Sequence, residues 1–199
     1  MAANKDFTVE QGKTFQQVIR WEAPPIIYKE ITGITQAAPA RITVVGHGIP
    51  EGWRVTVVSV KGMTAINAES TPPRDSDYHA ATVIDADTIE LNAVNSADMK
   101  AYVSGGYVQF NTPVPLAGYT ARMSIRDKVG GTELLSLTTE NLRIVINNTD
   151  KSIRLSITAA DTAALAWKKG VYDLELVSPD GVVTALLTGK VVVSAEVTT

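Results

Sequence analysis

Apolar and polar positions alternate along most of the chain, in short runs punctuated by glycine, proline and acidic residues. That period-two pattern predicts strands. Phe7–Trp21 opens on a turn and continues as an alternating strand, with Ile19 and Trp21 facing a core and Val18, Arg20 and Glu22 facing away. The strand is expected to end at Ala23-Pro24-Pro25, because proline fixes φ and donates no ladder hydrogen bond. The next alternating runs are Arg41–Val45, Trp53–Val60, Tyr78–Ile84, Thr88–Leu91 and Tyr107–Phe110. A glycine-dense turn over Gly46–Gly52 separates the first two, and Lys61–Asn67 reads as a loop. Ser70–Asp77 is polar and proline-bearing, the pattern of an exposed loop. Ser96–Tyr102 predicts one helical turn with Ser96 as its N-cap.

From Thr112 the pattern changes partners but not character. In Tyr119–Arg126, Tyr119, Ala121, Met123 and Ile125 face in, while Thr120, Arg122, Ser124 and Arg126 face out. After a turn at Lys128–Gly131, further strands are expected at Glu133–Leu137, Leu142–Ile146 and Ser152–Ile157. Thr158–Leu165 is the one good helix signal, with Thr158 as cap and Gly170 as terminator. Val171–Val177, the turn Ser178-Pro-Asp-Gly181 and Val182–Leu187 read as a hairpin, and Gly189–Val197 as a closing strand. Short strands at regular spacing with a brief helix between two of them predict an all-β, immunoglobulin-like sandwich. It is discontinuous: residues 1–30 and 111–199 form the sandwich, and 31–110 an inserted, small β-barrel-like module. Proline clusters at Pro24-Pro25 and Pro113-Val-Pro115 mark the two crossings.

Length and composition narrow the function. The 199 residues suffice for two small cores, and 45% hydrophobic with 20% charged residues is the balance of a globular chain. A net charge of −3 with no basic tract offers no footprint for nucleic acid. The absence of cysteine removes disulfides, thiolate metal sites and cysteine nucleophiles. Met1–Asp6 lacks the apolar stretch of a signal peptide, and no run has the length of a membrane helix, so synthesis in the cytoplasm and no membrane partner are expected.

Candidate chemistry is sparse. His47, between two glycines, is expected to be a turn residue rather than a ligand or base, since only His79 accompanies it and no spacing links the two. Asp75, Asp77, Asp85 and Asp87 lack the spacing of a calcium loop and read as solvated carboxylates. Neither a nucleophile elbow, a His-Glu-x-x-His pair nor a phosphate-cradling glycine loop occurs. Asn147-Asn148-Thr149 matches a glycosylation acceptor but has no secretory context. Trp53, Tyr78 and Trp167 are set against core packing as sugar-stacking surfaces, with packing favoured. No catalytic residue, cofactor or metal is expected. The residues expected to touch a partner are Trp53, Pro72, Pro73, Arg74, Asp75 and Tyr78, in and around the polar loop.

Two stretches resemble known families. Phe7-Thr-Val-Glu-Gln-Gly-Lys-Thr-Phe15, Leu116–Arg126, Ile157–Leu165, Tyr172-Asp-Leu-Glu-Leu176 and Pro179–Thr184 carry a resemblance, over residues 5–23 and 112–197, to the immunoglobulin-like N-terminal domain of siphophage upper baseplate proteins. Ile31–Ala40, Gly46–Gly52, Val60–Asn67 and Ala101–Gly106 make the inserted part similar to a β-module recurrent in phage structural proteins, and to the first catalytic-cysteine half-domain of ubiquitin-activating enzymes. The likeness does not imply ubiquitin-like activation, because the chain has no cysteine. The Glu69–Asp77 loop also departs from that module's compact pattern. What the resemblance implies is a virion protein, made in the bacterial host, that assembles with tail, baseplate or fibre subunits and with copies of itself and has no enzymatic turnover. Capsid decoration, a head–neck role and a host-carbohydrate-binding module are the alternatives.

Overall fold

The computed structural model describes residues 2–196. In chain order the strands are β1 (Ala3–Asn4), β2 (Phe7–Glu10), β3 (Phe15–Arg20), β4 (Glu22–Glu30), β5 (Gly33–Ile34), β6 (Ala40–Thr43), β7 (Arg54–Val58), β8 (His79–Val83), β9 (Thr88–Leu91), β10 (Tyr107–Pro113), β11 (Thr120–Arg126), β12 (Glu133–Thr138), β13 (Ile144–Asn147), β14 (Ser152–Ile157), β15 (Lys169–Val177) and β16 (Val183–Ser194). One short helix, α1 (Ala159–Ala163), follows β14. The chain divides into two compact units, residues 1–21 with 115–199, and residues 22–114.

The first unit is an all-β sandwich. One sheet runs β1-β16-β15-β11-β12, with β2 also on β16, and the other runs β13-β14-β3. This is the strand order of immunoglobulin domains, with β3, β14 and β13 in one sheet and β16, β15, β11 and β12 in the other. The alternation read from the sequence holds in β11: Ala121, Met123 and Ile125 are buried opposite Leu176, Leu174 and Tyr172 of β15. Ile153, Leu155 and Ile157 of β14 and Ile19 of β3 supply the facing layer. Tyr119 is half-buried and packs edge-on against Trp21 at 6.2 Å. The expected strand from Leu142 starts only at Ile144, since Leu142 sits at φ 60°, outside strand geometry.

Thr158 caps α1 by accepting the Asp161 N–H at 3.1 Å. Gly170 does not end that helix; it lies within β15 opposite Val191, where a Cβ would meet Ile125 Cγ2 at 2.7 Å. The two strands expected over 182–197 are one, β16, with a bulge around Leu186. The predicted end at Val197 lies outside the described residues. Gly189 belongs to this strand because the Lys5 carbonyl occupies the place of a side chain, 2.1 Å from an added Cβ. The same carbonyl accepts the Tyr172 hydroxyl at 2.7 Å.

The second unit is a barrel-like ladder, β4-β10-β7-β8-β9-β6-β5. Its two terminal strands are successive pieces of one stretch of chain, residues 22–34, which begins against β10 and ends against β6. The wall therefore closes where the chain changes partner, at Ile31 and Thr32. Its own core contains Trp53, Phe110, Met63, Ile42, Ile89 and Leu91.

Three expectations change here. Pro24 and Pro25 do not end a strand; they are the unpaired residues of a bulge in β4, between the pairs Ala23↔Thr112 and Ile26↔Asn111. Residues 22–30 and 111–114 accordingly belong to the inserted unit, so its edges move outward from 31 and 110 to 22 and 114. Ser96 caps no helix. It is fully buried, its hydroxyl lies 2.6 Å from the Thr35 carbonyl and 2.9 Å from that of Ala37, and it accepts the Ala37 N–H at 3.1 Å.

Candidate functional site

The polar loop after β7 is built around one carboxylate. Asp77 Oδ2 accepts the Arg74 N–H at 2.7 Å and Oδ1 accepts the Glu69 N–H at 3.1 Å. These amides, that of Arg74 foremost, hold the Asp77 carboxyl below its usual value. A single turn of 3-10 helix, Asp75–Asp77, follows, and the Ala68 N–H ties the start of the loop to the Val57 carbonyl of β7 at 2.7 Å.

The side chains gather on Arg54. Arg54 Nε donates to Glu22 Oε1 at 2.6 Å and Nη1 to Asp75 Oδ1 at 3.1 Å, while its guanidinium lies 5.3 Å from the centre of the Tyr78 ring. The Glu22 carboxylate, ahead of its own burial cost, holds the Arg54 guanidinium above its usual value. The Tyr78 hydroxyl accepts from Gln109 Nε2 at 2.8 Å, and Asn111 Nδ2 donates to Glu22 Oε2 at 2.8 Å. Asp75 and Tyr78 thus meet on one arginine. Pro72 and Arg74 stand exposed beside them, and Pro73 is partly covered.

Trp53 does not join that surface. It is 0% exposed, and its indole N–H donates to the Asn111 carbonyl at 3.0 Å. It is a core residue, and no ligand can stack on it. The alternating run Trp53–Val60 already placed Trp53 on the same face as Val55 and Val57, both buried. Glu22, Arg54, Gln109 and Asn111 were missed because they lie far apart in sequence and meet only through strand register.

His47 is buried in its turn. Its Nδ1 accepts the Ile49 N–H at 2.9 Å, so Nε2 carries the proton and donates to the Asp85 carbonyl at 2.9 Å. Both ring nitrogens are committed to backbone. Asp85 accepts the Asp87 N–H, which foremost keeps its carboxyl below the ordinary value, and Asp87 accepts the Gly46 N–H at 2.7 Å. These carboxylates hold turns. Among the described residues no group of three or more His, Asp or Glu side chains is placed to hold a metal ion, and no helix is long and apolar enough to cross a membrane.

The sandwich carries an open groove of about 560 Å³ on the outer face of its larger sheet. Ser124, Asp173, Thr188 and Asn4 form one cross-strand row along its floor. Arg122, paired with Glu175 at 2.7 Å, and Arg126, which donates to the Gly131 carbonyl at 2.8 Å, form one wall. No sequence signal marks this groove, because each strand contributes only alternate residues. Both signs of charge line it, and its arginines are already partnered, so it is not a dedicated anion or cation site. Neither a protein-family model nor a curated protein matches the chain.

Proposed function

We propose that the chain is a structural component of a tailed-phage virion, working by protein–protein assembly in the tail tip, baseplate or fibre-attachment apparatus and without turnover. The observation that carries this reading is the insertion itself. The connection between β3 and β11 of the sandwich is expanded into a second unit with its own core, entered and left through strands paired to each other at Glu22↔Pro113 and Ala23↔Thr112. One chain thereby offers two separately cored bodies, as a connector between neighbours in a particle needs. The resemblance of residues 5–23 and 112–197 to baseplate scaffolds supports the same reading. Its partners are other virion proteins and further copies of the chain, and repetition in a symmetric particle turns weak contacts into avidity.

Mass spectrometry of purified particles, combined with particle imaging, tests the proposal. The expected result is the chain at the tail end in multiples of three or six copies. Many copies on the capsid lattice would establish decoration instead. Absence from mature particles would replace the structural role with one in assembly or in the infected host.

A further inference from the structure

The sandwich closes its β12 edge with its own side chains. The Thr138 N–H donates to Asn141 Oδ1 at 2.9 Å, and the Ser136 carbonyl accepts from Asn141 Nδ2 at 3.1 Å and Arg143 Nη1 at 3.3 Å. Unpaired strand edges invite foreign strands, and this capping is one way of refusing them.

β4 of the inserted unit has an edge that is left open. The Ile31 N–H donates to the Gly106 carbonyl at 3.0 Å, whereas the Thr32 N–H donates to the Thr43 carbonyl at 2.9 Å. Successive residues of a strand turn their backbone groups to opposite sides. Counting back, Lys29 and Ile27 face β10, while Glu30, Tyr28 and Ile26 face the side on which Thr32 meets Thr43. β6 ends at Thr43, and β4 is the terminal strand of its ladder. The wall is therefore closed at Thr32; among the described residues no main-chain bond crosses the edge over Ile26–Glu30, and one side chain, Lys29, reaches from β4 to the Gly46 carbonyl at 3.2 Å. The window is bounded at one end by Thr32, already bonded, and at the other by Pro24 and Pro25, which carry no N–H.

The side chains beside this window form a platform. Ile26, Tyr28 and Glu30 share the outer face with Asn111, Gln109 and Tyr107 through direct cross-strand pairing. Ile26 is 44%, Tyr28 55% and Tyr107 44% exposed, and the two tyrosine rings meet edge to face at 6.3 Å. We propose that this window is a strand-acceptor site for an extended peptide of a partner protein, with a Lys or Arg opposite Glu30 and apolar side chains opposite Tyr28 and Ile26. Main-chain bonds to the three outward residues supply the affinity and the alternate side chains the selectivity.

Charge and register choose this occupant over a second copy of the chain. Residues 22–114 carry ten acidic side chains against six basic ones, so a second copy is repelled and a basic strand attracted. Two-fold pairing of β4 with itself centres on Tyr28, the middle of the window, and sets each Glu30 carboxylate against the Ile26 side chain of the other copy, with no cation. The site is independent of the virion assignment and stands whether or not the chain is found in particles.

The test is fluorescence anisotropy with the full chain and labelled peptides Lys-Thr-Val-Thr-Val-Thr and its reversed sequence, which cover both strand directions. Tyr28→Pro removes an outward N–H without removing a bond to β10. Loss of that bond is expected to weaken binding about five- to tenfold. Glu30→Lys is expected to weaken it further at low salt, with the thermal unfolding midpoint unchanged. Should Tyr28→Pro fail to fold, the peptide N-methylated at its central residues makes the same cut from the other side. Equal binding of the methylated and unmethylated peptides, or no saturable binding, overturns the proposal. So does a concentration-dependent dimer in sedimentation that Tyr28→Pro abolishes, since the occupant is then a second copy.

Discussion

The indole N–H of Trp53 donates to the backbone carbonyl of Asn111 across 3.0 Å, joining the start of β7 to β10 inside the barrel. The bond satisfies the one polar atom of a side chain that is otherwise wholly in the core. Trp53→Phe keeps most of the ring and leaves the carbonyl without this donor, an expected loss of about 1–3 kcal/mol. Trp53→Ala adds a cavity and is expected to cost about 3–5 kcal/mol. Urea unfolding of the two variants measures both, and a Trp53→Phe variant as stable as the parent would show that the hydrogen bond contributes nothing beyond packing.

Arg54 and Glu22 form an ion pair of 2.6 Å in the inserted unit, with Glu22 receiving Arg54 on one oxygen and Asn111 on the other. A double-mutant cycle of Arg54→Met and Glu22→Gln is expected to give a coupling of about 1–2 kcal/mol, above that of a solvated surface pair. Asp75, almost fully exposed, is expected to couple to Arg54 by only about 0.5 kcal/mol. Equal coupling for the two acids would mean that the pair with Glu22 is as solvated as the other.

The Asp77 carboxyl is held below its ordinary value of 3.8 by backbone N–H groups, Arg74 first. A carboxyl depressed by folding contributes stability that is fully present above its unfolded value and is lost as pH falls through the folded one. Lowering the pH from 5 to below about 3.8 is therefore expected to loosen residues 69–77 before the rest of the barrel. Amide exchange at Glu69 and Arg74 reads this directly. Asp77→Asn should show fast exchange at both amides already at neutral pH, with no further acid step there.

The sandwich should fold without the insertion. Trp21 and Tyr119 are in ring contact at 6.2 Å, so the cut ends at Trp21 and Pro115 can be joined by a short glycine–serine linker in place of residues 22–114. Cooperative thermal unfolding of that shortened chain is the expected result. Leu174→Ala within it, emptying a fully buried position, is expected to cost about 2–5 kcal/mol. A molten transition without cooperativity would mean that the two units depend on each other.

Much of the sandwich was legible because its strands bury one face each. Ala121, Met123 and Ile125 announce their side of β11 by alternation alone, and Thr158 announces a helix start because its hydroxyl needs only its own neighbours. The same local logic misread β4. Pro24-Pro25 read as a strand end, since nothing nearby shows that the partner strand can bulge around them. Ser96 read as a cap because the carbonyls that surround it belong to Thr35 and Ala37, about sixty residues away. Gly170 read as a helix terminator and Gly189 as the start of a strand, although each is a glycine because another part of the chain occupies the place of its side chain.

Sequence by itself determined the all-β character, the faces of the strands, the single helix and the existence of an insertion, since these rest on period, turn chemistry and proline placement. It also determined that the polar loop before Tyr78 lies at the surface. Only the tertiary structure decided that the Trp53 indole bonds the Asn111 carbonyl, that Arg54 gathers Glu22, Asp75 and Tyr78, and that β4 keeps an open edge beside Tyr28 and Tyr107. The reason is common to all three. Each depends on which strand lies beside which and in what register, and register is set by the packing of the whole sheet rather than by any run of neighbouring residues.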